Sequence, residues 1–445
     1  MVKTIRHFFP EFNAWLDAVP DSRFAPFVEY HKRFLVWWGL SLFLFQLGSR
    51  RQLDFDVDAR DTHVLDNLNR LAGTEQKTRP VNQTLHHFLG HTGVTPYARL
   101  RGLMLQRLIR MKALDAARLQ GHFVLVVDGT GQFSFRTRHC EHCLVYEHEK
   151  YTTYHHKVLE AKLLGPADLT LSMATEFIDN SDDNGTGSLE TRKQDCELKA
   201  MSRLLPDLRR DFPQLRLCLS GDSLFACGRV LQLAKDYDYR YVLTFKEGHM
   251  PALWGEFQAL LKLCPKSVVE RTTPEGAHQV YRWVNDLSYQ DSDGRAWTFH
   301  ALQCTETLQG ETTTFAWITD LHVSAGTVVE VANKGGRTRW HIENEGFNRQ
   351  KNSGFNLEHV FTEDPELYKA YYYLLQIAHI LMQIFEASSL LRQLARDCGR
   401  TPWQLFGSLK NLARRLLECF RYHVLSAAAF AADGRQRIYF CEDSS

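Results

Sequence analysis

The sequence predicts an α/β protein: a strand-and-helix core, interrupted by a β-rich insertion and flanked by helical N- and C-terminal regions. Three observations carry this. Short apolar runs bounded by turn residues fall between residues 122 and 246. Alternating aromatic and polar runs occupy 278–320, and helical periodicity fills both ends of the chain.

Residues 1–120 read as helical and basic, a candidate DNA-binding region. They carry 17 Lys/Arg against 11 Asp/Glu, although the whole chain of 445 residues has a net charge of only +1. A basic part joined to an acidic remainder fits a nucleic-acid partner, and it also fits chance variation in surface charge. The run 34-FLVWWGLSLFLF-45 reads as a buried helix, because a bilayer span needs ~20 residues. The stretch 97-YARLRGLMLQRLIRMKALDAARL-119 repeats apolar residues at three- and four-residue spacing. Its Arg and Lys either meet phosphates or simply solvate a helix face.

The core is expected over 121–248. Strands are predicted over 122–127, 152–164 and 168–178, followed by a turn-rich loop at 179–188. A helix over 189–212 follows, which Pro206 bends or ends. Then come a strand over 215–221, a helix over 223–237 and a strand over 239–246. A helix over 251–263 opens the insertion, 249–321, whose strands are 278–284, 296–304 and 312–320. Residues 322–360 return to the core, 361–430 form a helical C-terminal region, and 431–445 are a polar tail. The ten cysteines are scattered, several in apolar stretches, as in a reduced cytoplasmic protein rather than a disulfide framework. No signal-peptide pattern opens the chain, and no membrane contact is expected.

Three acids carry the candidate chemistry. Asp128 ends the run 123-FVLVV-127, and Asp222 follows 215-LRLCLSG-221. A carboxylate at the C-terminal edge of a buried strand is held rigidly yet reaches the surface. Glu343 lies in 337-RTRWHIENEGFNRQK-351, a segment of helical periodicity. Two such Asp and one Glu can hold two Mg²⁺ or Mn²⁺ ions about 3.5–4 Å apart around a scissile phosphate. Taken singly, Asp128 caps a turn with Gly129, Asp222 caps a helix, and Glu343 is a surface residue. Taken together in this order, the three favour metal-dependent phosphoryl transfer.

A second group lies in 138-RHCEHCLVYEHEKYTTYHH-156. Cys140 and Cys143, with His148 and either His155 or His156, make a candidate structural zinc set. The alternative is two ordinary thiols in a His-rich hairpin.

The stretches 127-VDGTG-131, 193-KQDCE-197, 220-SGDS-223, 316-AWITDL-321 and 337-RTRWHIENEGFNRQKN-352 together resemble bacterial insertion-sequence transposases. Those have a ribonuclease H-like DDE core, and the order of three strands, helix, strand, helix, strand is that of such a core. The group most similar has a β-strand insertion and a Tyr-Arg-Glu-Lys signature. Here the signature is partly degenerate. Arg339 and Glu343 keep its spacing, Gly336 holds the Tyr position, and Gln350 holds the Lys position with Lys351 next to it.

The resemblance implies that Asp128, Asp222 and Glu343 bind the catalytic ions, with Asp128 shared between them. Arg339 and Lys351, placed with Phe347 on one helical face at i+4, would hold DNA phosphates. Lys246 is a further phosphate candidate, and Glu197 and Lys193 would stand beside the site as scaffold. In related transposases a Trp of the insertion stacks on a flipped base; Trp283 and Trp297 are the candidates here, while Trp317 reads as core. The expected partners are terminal inverted repeats and target DNA, with a homodimer on DNA in the bacterial nucleoid. A domesticated DNA-binding protein and a stand-alone nuclease are the alternatives.

Overall fold

The computed structural model describes residues 1–56, 62–180, 194–291, 293–430 and 438–440. Ten strands make one mixed sheet. They are β1 (Phe123–Phe135), β2 (Leu144–Glu147), β3 (Thr152–Leu164), β4 (Thr170–Ile178), β5 (Leu217–Gly221), β6 (Arg240–Thr244), β7 (Val268–Thr272), β8 (His278–Gln290), β9 (Ala296–Leu308) and β10 (Glu311–Thr319). The spatial order is β2-β3-β1-β5-β6-β10-β9-β8-β7, with β4 also paired to β3.

Strands β1, β5 and β6 run parallel, and β3 is antiparallel to β1. Parallel strands are buried on both faces and need near-continuous apolar runs, which 123-FVLVV-127 and Leu217–Leu219 supply. The insertion does not stand apart from this sheet. β10 pairs antiparallel with β6, Trp317 against Thr244, so hairpins β7–β8 and β9–β10 prolong the core sheet sideways. β7 is not among the strands that the sequence predicts, since its exposed Glu270 and Arg271 hide the pattern.

Helix Glu197–Asp211 covers the sheet through Ala200, Met201, Leu204, Leu205 and Leu208, and Pro206 does not end it. The predicted helix over 223–237 divides into a 3₁₀ turn, Ser223–Phe225, and a helix, Gly228–Asp236. The helix over Pro251–Leu263 matches its predicted span.

The helical ends of the chain share one body. Helix Leu367–Glu386 is apolar nearly all round and buried along almost its whole length, as such a helix must be. Helix Lys32–Leu44 lies against it so closely that a Cβ at Gly39 would come within 2.9 Å of Leu374 Cδ1. Buried Asn67 donates to the carbonyls of Phe420 and His423 and accepts from Leu425 N–H, tying residues 64–72 to 409–425. Among the described residues, no helix is long and apolar enough to cross a membrane.

Residues 337–351 are read from the sequence as one helical segment. From 328 to 352 the structure instead alternates between windings: α at Val328–Glu330, π at Val331–Gly336, 3₁₀ at Arg337–Arg339, π at Ile342–Asn348 and α at Arg349–Asn352. The first π stretch lies flat on β6 and β10. A Cβ at Gly335 would stand 2.7 Å from Val242 Cγ2, and one at Gly336 would overlap the Trp317 indole. The Tyr position of the signature is therefore filled by glycine where Trp317 takes the space.

Gly336→Ala is expected to lower stability by about 1–3 kcal/mol in urea denaturation, because it overpacks a filled interface. Adding Trp317→Leu should recover part of that loss. An unchanged midpoint for Gly336→Ala would mean that this segment does not press on β10.

Candidate active site

The last parallel register pair of β1 and β5 is Val126 with Ser220. Two residues further along each strand stand Asp128 and Asp222, side by side at the carboxyl edge of the pair. The predicted end of the strand at Asp128 is an edge only towards β5. Towards β3 the ladder runs on to Phe135, with Asp128 opposite Glu160. Asp222 leaves β5, and its Oδ1 accepts from Leu224 N–H at 2.9 Å, capping the 3₁₀ turn.

Arg339 brings the third acid in. Its Nη1 lies 3.3 Å from Asp128 Oδ2 and its Nη2 lies 2.5 Å from Glu343 Oε1. One guanidinium thus bridges a strand-borne and a helix-borne carboxylate. The Asp128 side chain is 18% exposed, whereas Glu343 is 51% exposed. Burial pushes the Asp128 carboxyl up to about 6. Arg339 and the Gly129 N–H, which donates to Oδ1 at 2.8 Å, oppose that rise, while the charges of Glu343 and Asp222 add to it. The structure therefore makes the three sequence-predicted acids electrostatic neighbours.

A fourth carboxylate stands beside them. Burial raises the Glu197 pKa; Lys157 lowers it and Asp222 raises it further. The Glu197 carboxylate approaches Gly129 so closely that a Cβ there would overlap it. Only glycine at 129 admits this contact. Lys193 lies outside the described residues.

The predicted phosphate and base contacts fare differently. Lys351 does not share a face with Arg339 and Glu343. The π winding of 342–348 shifts the register, Phe347 turns into the core over Lys162, and Lys351 Nζ pairs with Glu358 at 2.8 Å. Lys246 is exposed in the turn after β6. Trp283 is buried in β8 opposite Leu302, so it offers no face to a base. Trp297 is partly exposed, and its Nε1 donates to Asp291 Oδ2 at 2.9 Å. Trp317 is core, as expected. The aromatic ring missed in the sequence is Trp340, 45% exposed, stacked on His341 at 4.2 Å and next in the chain to Arg339. Its place between Arg339 and Glu343, off the apolar positions Ile342 and Phe347, was the available signal.

The sulfur and imidazole groups also assemble differently from the predicted set. His148 Nε2 and His155 Nε2 both face Thr153 Oγ1, at 3.0 and 2.7 Å. The cluster that forms is His139, Cys140, Cys143 and His156, with one ligand atom of each within 4.8 Å of the others. Strand alternation decides this, because neighbours His155 and His156 point to opposite faces of β3 and His156 is the one 1% exposed. Burial, then the hydrogen bond from Cys143, pushes the Cys140 thiol up to about 12; burial holds His156 down at about 4.

The carboxylate oxygens of Asp128, Asp222 and Glu343 are donors that suit a hard cation such as Mg²⁺. Among the described residues, only the His/Cys cluster gathers three or more possible ligands within 4.8 Å. The three acids do not gather so closely, and Arg339 stands between Asp128 and Glu343.

Because the folded protein holds a proton on Asp128 up to about pH 6, its carboxyl contributes favourably below the ordinary carboxylate range. That contribution is lost as pH rises through about 6. Asp128→Asn should therefore be more stable than wild type at pH 8 by roughly 1–3 kcal/mol in urea without divalent ions. The gain should shrink below about pH 6 and vanish near pH 4. A variant no more stable than wild type at pH 8 would show that the carboxylate is held without strain. Neither a protein-family model nor a curated protein matches this chain, so its functional reading rests on the residues themselves.

Proposed function

We propose that this chain is a DNA transposase: it binds the ends of an insertion sequence, cleaves donor DNA and joins the 3′ ends to target DNA. The observation that carries the reading is the meeting of Asp222 and Glu343 beside Asp128, with Arg339 pairing Asp128 to Glu343. Two of these acids come from the carboxyl edge of adjacent parallel strands and one from a later helical segment. The element order β1, β3, β4, helix, β5, helix, β6 supports a ribonuclease H-like core, with the short β2 falling between β1 and β3 in the chain and at the edge beside β3 in the sheet.

Two divalent ions bound by these acids would supply an activated oxygen nucleophile and a counter-charge for the leaving oxygen. The protein's own part is positional. Asp128 lies between the other two acids in the electrostatic sense and suits a shared ligand; Asp222 would hold one ion and Glu343 the other. Arg339 pairs with Asp128 and Glu343 in the protein alone, and its planar fork has the shape to take a DNA phosphate with two parallel hydrogen bonds. Lys246 adds a further positive charge for the backbone. Trp340 and the exposed part of Trp297 offer rings on which an unpaired base can stack, worth roughly 1–3 kcal/mol each. A homodimer on paired DNA ends, associated with the nucleoid, completes the reading.

The test is cleavage and joining of labelled duplexes that carry the repeats flanking the gene, with Mg²⁺ as the metal. Wild type is expected to cut and join. Asp128→Ala, Asp222→Ala and Glu343→Ala should each lose both steps by a factor on the order of 10³ or more while still binding DNA. Mg²⁺ alone should also raise the melting temperature of wild type and not of these variants. Cutting without joining would make the chain a nuclease. Binding without cutting would make it a DNA-binding protein that has kept the fold.

A further inference from the structure

We infer that His139, Cys140, Cys143 and His156 form a closed structural zinc site that clamps the β2–β3 hairpin onto β1. The inference does not depend on the DNA chemistry proposed above.

Geometry comes first. Cys140 Sγ lies 3.2 Å from Cys143 Sγ and 3.3 Å from His156 Nε2. Cys143 Sγ lies 3.7 Å from the same His156 nitrogen, and both ring nitrogens of His139 are 3.5 Å from it. A tetrahedral zinc with two sulfur and two nitrogen ligands sets the sulfurs about 3.8 Å apart and each sulfur about 3.6 Å from a nitrogen. The sulfur–nitrogen distances thus already lie within about 0.3 Å of those that the ion requires, and the two sulfurs would have to part by about 0.6 Å. The two thiols are not within the bonding distance of a disulfide, about 2.05 Å. A disulfide would also leave both imidazoles without a role.

Burial gives the second argument. Cys143 and His156 are buried, and His139 and Cys140 are partly so. Without an ion, Cys140 and Cys143 have only weak thiol hydrogen bonds to each other and to the ring nitrogens of His139 and His156. Rings wall the group off. Phe133 lies 5.1 Å from His156 and 5.8 Å from His139, Phe135 lies 4.4 Å from His139, and Tyr368 lies 4.9 Å from His156. Four protein ligands behind such a wall leave no position for substrate, which marks a structural rather than a catalytic site.

The backbone is already braced for it. Asn180 N–H donates to His142 O at 2.9 Å, and Asn180 Nδ2 donates to Cys143 O at 3.0 Å. These bonds hold the Cys-bearing turn over the end of β4. His156 lies in β3, and Phe133 and Phe135 lie in β1, the strand that carries Asp128. An ion here would fix the far end of β1 against the hairpin.

The experiment uses the full chain without a histidine tag, purified from zinc-supplemented culture and passed through a weak chelator before metal analysis. About one zinc per chain is expected. His156→Ala and Cys143→Ser should lose it, while His148→Ala and His155→Ala should keep it. If the cysteine variant fails to fold, cobalt exchange into wild type decides. Tetrahedral visible bands with a thiolate-to-cobalt charge-transfer band support the site, and an octahedral spectrum overturns it. A zinc-free wild type, a Cys140–Cys143 disulfide in the non-reduced protein, or loss of metal on His148→Ala with retention on His156→Ala would each overturn the inference.

Discussion

The architecture depends on one constraint: helix Leu367–Glu386 is buried, yet it carries Gln376, His379 and Gln383. Polar groups without access to water must find partners inside the protein. Gln383 accepts from Thr170 N–H and donates to Thr170 O, joining the helix to β4. Gln376 accepts from Lys162 Nζ at 3.2 Å and exchanges hydrogen bonds with Gln350, which also reaches His379. The segment 328–352 is therefore anchored at Gln350 as well as at Gly335 and Gly336. With both ends held, Arg339 and Glu343 have little choice but to face β1.

That placement explains the electrostatics around Asp128. A buried carboxylate beside two others is a poor arrangement for folding and a good one for binding cations. Burial raises the Asp128 pKa, Arg339 opposes the rise, and the charges of Glu343 and Asp222 add to it. A second buried group lies behind the first. Glu160, opposite Asp128 in register, is fully buried with Lys162 and Arg101 near it, at 3.8 and 3.9 Å. Thr175 donates to Glu160, and Arg101 donates to Ser172 and Thr175, while Glu160 Oε2 and Arg101 Nε are buried without a hydrogen bond and are balanced by charge alone. Loss of one member would leave a charge unpaired in the core. The two clusters differ in purpose: Glu160 is closed on protein partners, whereas Asp128 and Glu343 share one guanidinium at the surface.

The sequence made the strands readable where burial is two-sided, because 123-FVLVV-127 and 215-LRLCLSG-221 admit few alternatives. Asp128, Asp222 and Glu343 could be singled out because each follows or sits in such a segment. Winding was not readable: the π stretch at 331–336 accompanies the packing of Gly335 and Gly336 on Val242 and Trp317, contacts more than 15 residues away in sequence, and a second π stretch follows at 342–348. The error at Lys351 follows directly, since the predicted i+4 face assumes an uninterrupted α-helix. The partners of Cys140 and Cys143 were also hidden. Which of His148, His155 and His156 turns inward depends on the register of β3 against β1, and spacing alone does not give it. Trp283 illustrates the same limit, since an alternating strand does not announce which face is covered.

These departures converge on Arg339. With Gly336 in place of a Tyr and Lys351 turned to Glu358, Arg339 is the one cation of the signature that touches the acids. It must balance Asp128 and Glu343 in the free protein, and it is also the group best shaped to grip a phosphate. On the proposed DNA chemistry the two roles would compete, because Nη1 and Nη2, which pair with Asp128 and Glu343, are the end of the fork that a phosphate would also use. Cations entering among the acids would remove the need for the first role and release the second. On the proposed reading, a task that the signature divides among Tyr, Arg and Lys would fall to the single side chain of Arg339.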